Sequence, residues 1–299
     1  MWMSHRWRRN GWSTRRLSIT LAALIGAALA TGAGWHGIAA RALAQEEAGY
    51  ILLVPLVIAW LIFVRRSRLA MATPRWSAGG LAVLIAAAGV YLGLGVGLDK
   101  PVGRHAGAVL VAVGVLATCL GPRLLSRFAA PLCAAVFLVP PSAIAMKLIG
   151  EPLRWAAVRA ASGIYGVFGG EAFIRGDHFV WFSGTRWHHV PLEATCDVLA
   201  TITALWVVAY AFVFGTPLRG AVRALALALT PIIGMGCCIA AVSLTLLLAA
   251  DAREAVFGTW LVWGAWLTLV AAFFGLLGLL RLLVWAEVPV RRYQLADGR

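Results

Sequence analysis

Apolar positions in this chain fall in long unbroken runs, not in the one-in-three or one-in-four spacing of a surface helix. About 20 apolar residues carry a helix across a bilayer. Eight runs fit, near 17–36, 50–64, 78–97, 106–121, 129–146, 194–214, 222–249 and 258–284. The second is short but ends on Arg65 and Arg66, whose side chains can reach the interface. The seventh holds Pro231 and Gly234, which membrane helices tolerate. The pattern predicts an all-α integral membrane protein with about eight transmembrane helices in a single polytopic domain, 1–299.

Polar positions collect between the runs, and one gap is long, about 147–193. Its first part, Glu151 to Phe168, sets Arg154 and Arg159 among Trp155, Val158, Ile164 and Val167. That mixture predicts a helix lying in the membrane interface. Its second part, Glu171 to Val190, has aromatic and β-branched residues around Gly-containing turns. That predicts a small β-hairpin, and the two parts together a cap on one face of the bundle.

Composition agrees. The chain has 299 residues, 62% hydrophobic and 13% charged. Soluble domains are about half apolar, and disordered chains are poorer still, so both classes are excluded. The net charge of +14 leaves two readings, a nucleic-acid binder or a membrane protein with its arginines on one side. Placing the N-terminus in the cytoplasm and alternating sides gives 17 basic and two acidic residues inside. Outside are nine basic and ten acidic residues, including the whole 147–193 loop. Every inner segment then obeys the positive-inside rule. The reading is a multi-pass protein that binds no nucleic acid and presents +15 to anionic lipid at the cytoplasmic face. Arg6, Arg8, Arg9, Arg15 and Arg16 precede the first run, whose length exceeds a signal-peptide core and predicts an uncleaved helix. Ala28-Leu29-Ala30 leaves a cleaved alternative open.

Five cysteines, an odd number, form neither a disulfide framework nor a zinc pattern, and no metal or cofactor is expected. Cys119, Cys133, Cys237 and Cys238 lie inside apolar runs and read as small buried hydrophobes. Cys196 differs, standing between Glu193 and Asp197 at the outer start of the sixth run. A helix N-terminus favours a thiolate, while those two acids oppose it, so a nucleophilic Cys196 needs a cationic partner outside. Arg219 and Arg223 are excluded, because 27 residues at 1.5 Å each put Arg223 roughly 40 Å away on the cytoplasmic side. The outer candidates are Arg186, Arg253 and the pair His188 and His189, where an imidazole could serve as base. His36 and His105, at helix ends, read as interfacial.

Several segments come in an order that resembles the exosortase/archaeosortase family of membrane-embedded sorting enzymes. They are Gly49-Tyr50-Ile51-Leu52-Leu53-Val54-Pro55-Leu56 before Arg65-Arg66, Phe137-Leu138-Val139-Pro140-Pro141, and Phe173-Ile174-Arg175-Gly176-Asp177-His178-Phe179-Val180. The most specific is Val190-Pro191-Leu192-Glu193-Ala194-Thr195-Cys196-Asp197-Val198-Leu199, similar to the family's Glu-Ala-Cys-Ser-Gly with Thr195 inserted. The resemblance spans about 131–284 with the early helix added. It implies a cysteine transpeptidase or protease of a bacterial plasma membrane that recognises the C-terminal sorting tail of an exported protein. Cys196 would be the nucleophile. The departures are Asp197-Val198 for the family's Ser-Gly, Ala48-Gly49 for its early His-Gly, no arginine in Cys237 to Ala240, and Glu254 where a later histidine is expected. Either Arg186, Arg253 or the His188–His189 pair has taken over those roles, or the protein is a non-catalytic scaffold of an export or polysaccharide machinery. A transporter would need ionisable residues within its spans, and the runs hold essentially none.

Overall fold

The computed structural model describes residues 14–44, 46–66, 73–175, 178–183, 186–191, 197–216, 218, 220–251, 264, 267–268, 270–279 and 281–282. They group into two compact units, Met1–Pro141 and Ser142–Arg299. Among the described residues four helices are long and apolar enough to cross a membrane: Ala78–Gly97, Pro101–Leu120, Val198–Gly215 and Gly220–Leu248. Counting two bent helix pairs as one span each raises the number to six, against the eight expected. Of the run at 258–284, residues 264, 267–268, 270–279 and 281–282 are described, and they include the short helix Val270–Leu279.

In the first unit, the run expected as one helix at 17–36 is two, α1 (Thr14–Ala30) and α2 (Gly32–Ala44), bent by 75°. The hydroxyl of Thr31 donates to the Ala27 carbonyl at 2.8 Å and accepts from Trp35 Nε1 at 3.0 Å. Those bonds satisfy polar groups at the break. A 3₁₀ turn over Glu46–Leu53 leads into α3 (Val54–Val64), 11 residues long with Pro55 in its first turn. Helix α4 (Ala78–Val90) is capped by Ser77, whose hydroxyl accepts from Gly80 N, and continues as a π-helical stretch over Tyr91–Gly97. Helix α5 (Pro101–Leu120) begins on Pro101 and stops before Gly121, whose φ of 83° favours glycine. The two pack tightly because small residues line the seam. A Cβ on Gly107 would lie 2.6 Å from Tyr91 Cα, and one on Gly114 2.7 Å from Leu84 Cα. The run at 129–146 is also broken. After α6 (Pro122–Arg127), α7 (Ala129–Ala134) gives way to a 3₁₀ turn at Ala135–Leu138 just before Pro140 and Pro141.

Two residues of this unit correct the sequence reading. His105 is not interfacial but buried, 3% exposed, with Gly37 of α2 so close that a Cβ there would lie 2.6 Å from Nε2. The missing side chain of Gly37 leaves room for the imidazole. Its Nδ1 is buried without a hydrogen-bond partner. Cys133 is exposed on α7 rather than buried, whereas Cys238 in the second unit is buried as expected.

In the second unit, Ser142 caps a short turn at Ala143–Ala145, and a π-helical stretch over Met146–Gly150 runs into α8 (Glu151–Val167). The expected hairpin is a three-stranded antiparallel sheet: β1 (Ala172–Arg175), β2 (His178–Ser183) and β3 (Arg186–Pro191). Gly176-Asp177 and Gly184-Thr185 fall between successive strands. Helices α9 (Val198–Gly215) and α10 (Gly220–Asp251) pack together at Val213, Val222 and Ala226. Inside α10, Pro231 follows Thr230, whose hydroxyl donates to Ala226 O. The last described helix, α11 (Val270–Leu279), packs on this pair through Phe273 against Phe212 and through Leu279.

Candidate functional site

Construction starts at the N-terminus of α9. Asp197 is the N-cap. Its Oδ1 accepts from Ala200 N at 3.0 Å, and its backbone carbonyl accepts from Thr201 N and Oγ1. This is what an aspartate at that position is suited to do. Its second oxygen, Oδ2, is buried without a hydrogen-bond partner. The residue before this cap is Cys196. Cys196 lies outside the described residues, as does Arg253. Of Arg186, His188 and His189, the backbone is described. All three are on β3, with Arg186 opposite Ser183, His188 opposite Trp181 and His189 opposite Val180. Along the chain, β3 ends at Pro191, six positions before the α9 cap at Asp197.

Three helices meet where α9 begins. Val198 and Ile202 form one buried cluster with Ala157 of α8 and Cys238 of α10, and Leu153, Met235 and Ile239 pack against it. One turn back, a Cβ on Gly150 would lie 3.5 Å from Leu199. Beside this meeting point the sheet is anchored by its inner face. Phe179 and Trp181 of β2 are buried against Val158, Ala161 and Tyr165 of α8 and Val242 and Leu246 of α10. Tyr165 Oη donates to the Phe182 carbonyl at 3.3 Å, tying helix to strand.

Arg154, read from the sequence only as one of two arginines in an interfacial helix, is 8% exposed. Its neighbours Ala157, Val158, Ala161 and Tyr165 are buried on the same stripe, while Arg159 is exposed. The signal was present in the i+3, i+4, i+7, i+11 spacing of those four from Arg154, which puts the arginine on the packed stripe. On either side of it, Gly150 lies beside Leu199 and Ala157 shares a buried cluster with Val198. Arg154 thus sits in the packed face of α8. Its helix neighbours Leu153 and Ala157 pack with Met235, Cys238 and Ile239 of α10, which overlap the stretch where an arginine was expected from α10 itself. No cluster of three or more His, Cys, Asp or Glu side chains able to hold a metal occurs among the described residues.

In comparisons with known proteins, a family model described as transmembrane exosortase matches residues 41–278. No curated protein and no solved structure matches.

Proposed function

We propose, from the premise that the chain belongs to the transmembrane exosortase family, that it is a membrane cysteine peptidase or transpeptidase acting on the C-terminal sorting tails of exported proteins. The chain is a multi-pass membrane protein with long apolar helices, as the family requires. The observation that carries the reading is the convergence of α8, α9 and α10 at the α9 cap, directly after Cys196. A nucleophile one residue before a helix cap stands next to the free N–H groups of the helix start, which favour an anion.

In this reading the Cys196 thiolate attacks the peptide carbonyl and forms a tetrahedral adduct. His188 or His189 takes the thiol proton and returns it to the departing amine. Water or an incoming amine then attacks the thioester, giving hydrolysis or transfer, and releases the thiol. Arg186 or Arg253 faces the developing oxyanion, and Arg154 adds the buried cation that α10 lacks. The active site faces the outside of a bacterial plasma membrane. The N-terminus is cytoplasmic, and the basic inner face holds anionic lipid.

The test is processing of a secreted reporter carrying a C-terminal apolar helix and basic tail. Cys196→Ala and Cys196→Ser should abolish its processing while both variants still insert at wild-type level. Unchanged processing would end the enzyme reading. A second reading, a scaffold without chemistry, draws on the absence of an arginine in Cys237 to Ala240 and on Glu254 in place of a histidine. It is favoured if Cys196 in intact membranes reacts with an impermeant thiol reagent no faster than a free cysteine.

A further inference from the structure

The aromatic cluster on the outer face of the three-stranded sheet has no role in the chemistry above, yet its composition is unusual for a surface in water. Phe173 on β1, Phe182 on β2 and Trp187 on β3 are 45%, 38% and 47% exposed. Their rings form one cluster. Trp187 stands 5.0 Å from Phe182 and reaches across the central strand to within 5.6 Å of Phe173, centroid to centroid. Val180, which faces the same way, is buried beneath them. At the other end of this face Arg175 and His178 are register partners, and both are exposed. Along β2 the face therefore runs from basic at His178 to aromatic at Phe182, about 13 Å of strand.

Where this face lies relative to the bilayer follows from what the opposite face touches. Phe179 and Trp181 pack against Val242 and Leu246, and both belong to the apolar stretch Gly220–Leu248, which is long and apolar enough to cross a membrane. The sheet thus packs beside the C-terminal part of that apolar stretch. The C-terminal end of the sheet is tied to a second such stretch as well. Only seven residue steps separate Pro191 from Val198, which at full extension reach about 25 Å. A face beside such a stretch with clustered tryptophan and phenylalanine matches the residue types that settle between headgroups and acyl chains. An exposed apolar patch of this kind facing water is a liability.

We propose that the Phe173–Phe182–Trp187 face rests in the interface of the phospholipid leaflet, with the aromatic end toward the acyl chains and Arg175 and His178 toward the headgroup phosphates. Arginine suits that contact because its fork of donors matches phosphate geometry. The proposal rests on the chain being a membrane protein and not on its being a peptidase, so it stands or falls independently of Cys196.

The test is a depth measurement on the full chain in nanodiscs of phosphatidylethanolamine and phosphatidylglycerol. A nitroxide is attached at position 187 or 175 through Trp187→Cys or Arg175→Cys in a background without the five native cysteines. Collisions with oxygen, which concentrates in lipid, are compared with collisions with a water-soluble nickel complex. Oxygen is expected to dominate at 187, with a shallower value at 175. Dominance of the nickel complex at 187, or the reverse order of the two sites, overturns the proposal. Protection from both reagents also overturns it, since protein would then cover the face. If the cysteine-free background does not fold, quenching by acyl-brominated lipid in the native sequence replaces it. The wild type should lose more fluorescence than Trp187→Phe, and equal losses overturn the proposal.

Discussion

Desolvating a guanidinium costs several kcal/mol before its interactions are counted. Arg154 is 8% exposed in the packed face of α8, so the interactions it makes there must offset that cost. If its role is to hold Cys196 as a thiolate, then Arg154→Gln should slow alkylation of Cys196 at pH 7 by about tenfold or more, the effect of losing a cation close to a thiol. Arg154→Lys should retain most of the rate. Equal slowing in both variants, or none in either, would reduce Arg154 to a structural role. Iodoacetamide labelling of membranes, read by mass spectrometry, measures this. Position by position, the sequence was a partial guide. The spacing of Ala157, Val158, Ala161 and Tyr165 made the burial of Arg154 readable. The burial of His105 was not readable, because it depends on Gly37, which is 68 positions earlier in the chain and on a different helix. Asp197 looked like an opponent of the thiolate, and it is also the cap that starts α9.

Helices and strands were legible to the extent that local chemistry decides them. The expected 78–97 matches Ala78–Gly97, and 222–249 lies within Gly220–Asp251. The expected start at 106 is five residues late, since Pro101 is itself suited to the first turn and Arg104 pairs with Asp99 there. Hydropathy alone could not detect the break at Thr31, because a bent pair and a straight span have the same composition. The third strand was missed for another reason. Arg186-Trp187-His188-His189 is too polar to read as a strand, and it pairs because β2 supplies an edge. Helix crossings make a prediction of their own. In Gly37→Ala the new methyl group meets the buried His105 imidazole, 2.6 Å from Nε2 before any shift. The overpacking should cost about 1–3 kcal/mol, seen as a lower unfolding midpoint in detergent. Adding His105→Ala should recover most of it, and simple additivity of the two losses would refute the contact.

For the molecule as a whole, charge placement is the organising feature. The basic residues at 65–75 and 219–223 alternate along the chain with the acid-rich loops at 46–47 and 171–197. If this distribution sets orientation, a periplasm-active phosphatase fused after Ser183 should be active, and one fused after Arg66 inactive. The opposite pattern would invert the topology and place Cys196 inside. Membership of the exosortase family and the multi-pass character were both legible from the order of segments and the hydropathy. The packing of α8 between the sheet and α10 was not, since it joins residues some 80 positions apart.

That packing also bears on when during synthesis the site can exist. The inner face of the sheet closes on Val242 and Leu246, and the cluster at the α9 cap closes on Cys238. About fifty residues must follow Cys196 out of the ribosome before those partners arrive, roughly 3–10 s at ordinary elongation rates. Until then the start of α9 lacks its partners from α10. The chain order therefore acts as a maturation delay, leaving the α9 cap unpacked until the neighbouring helix has been made.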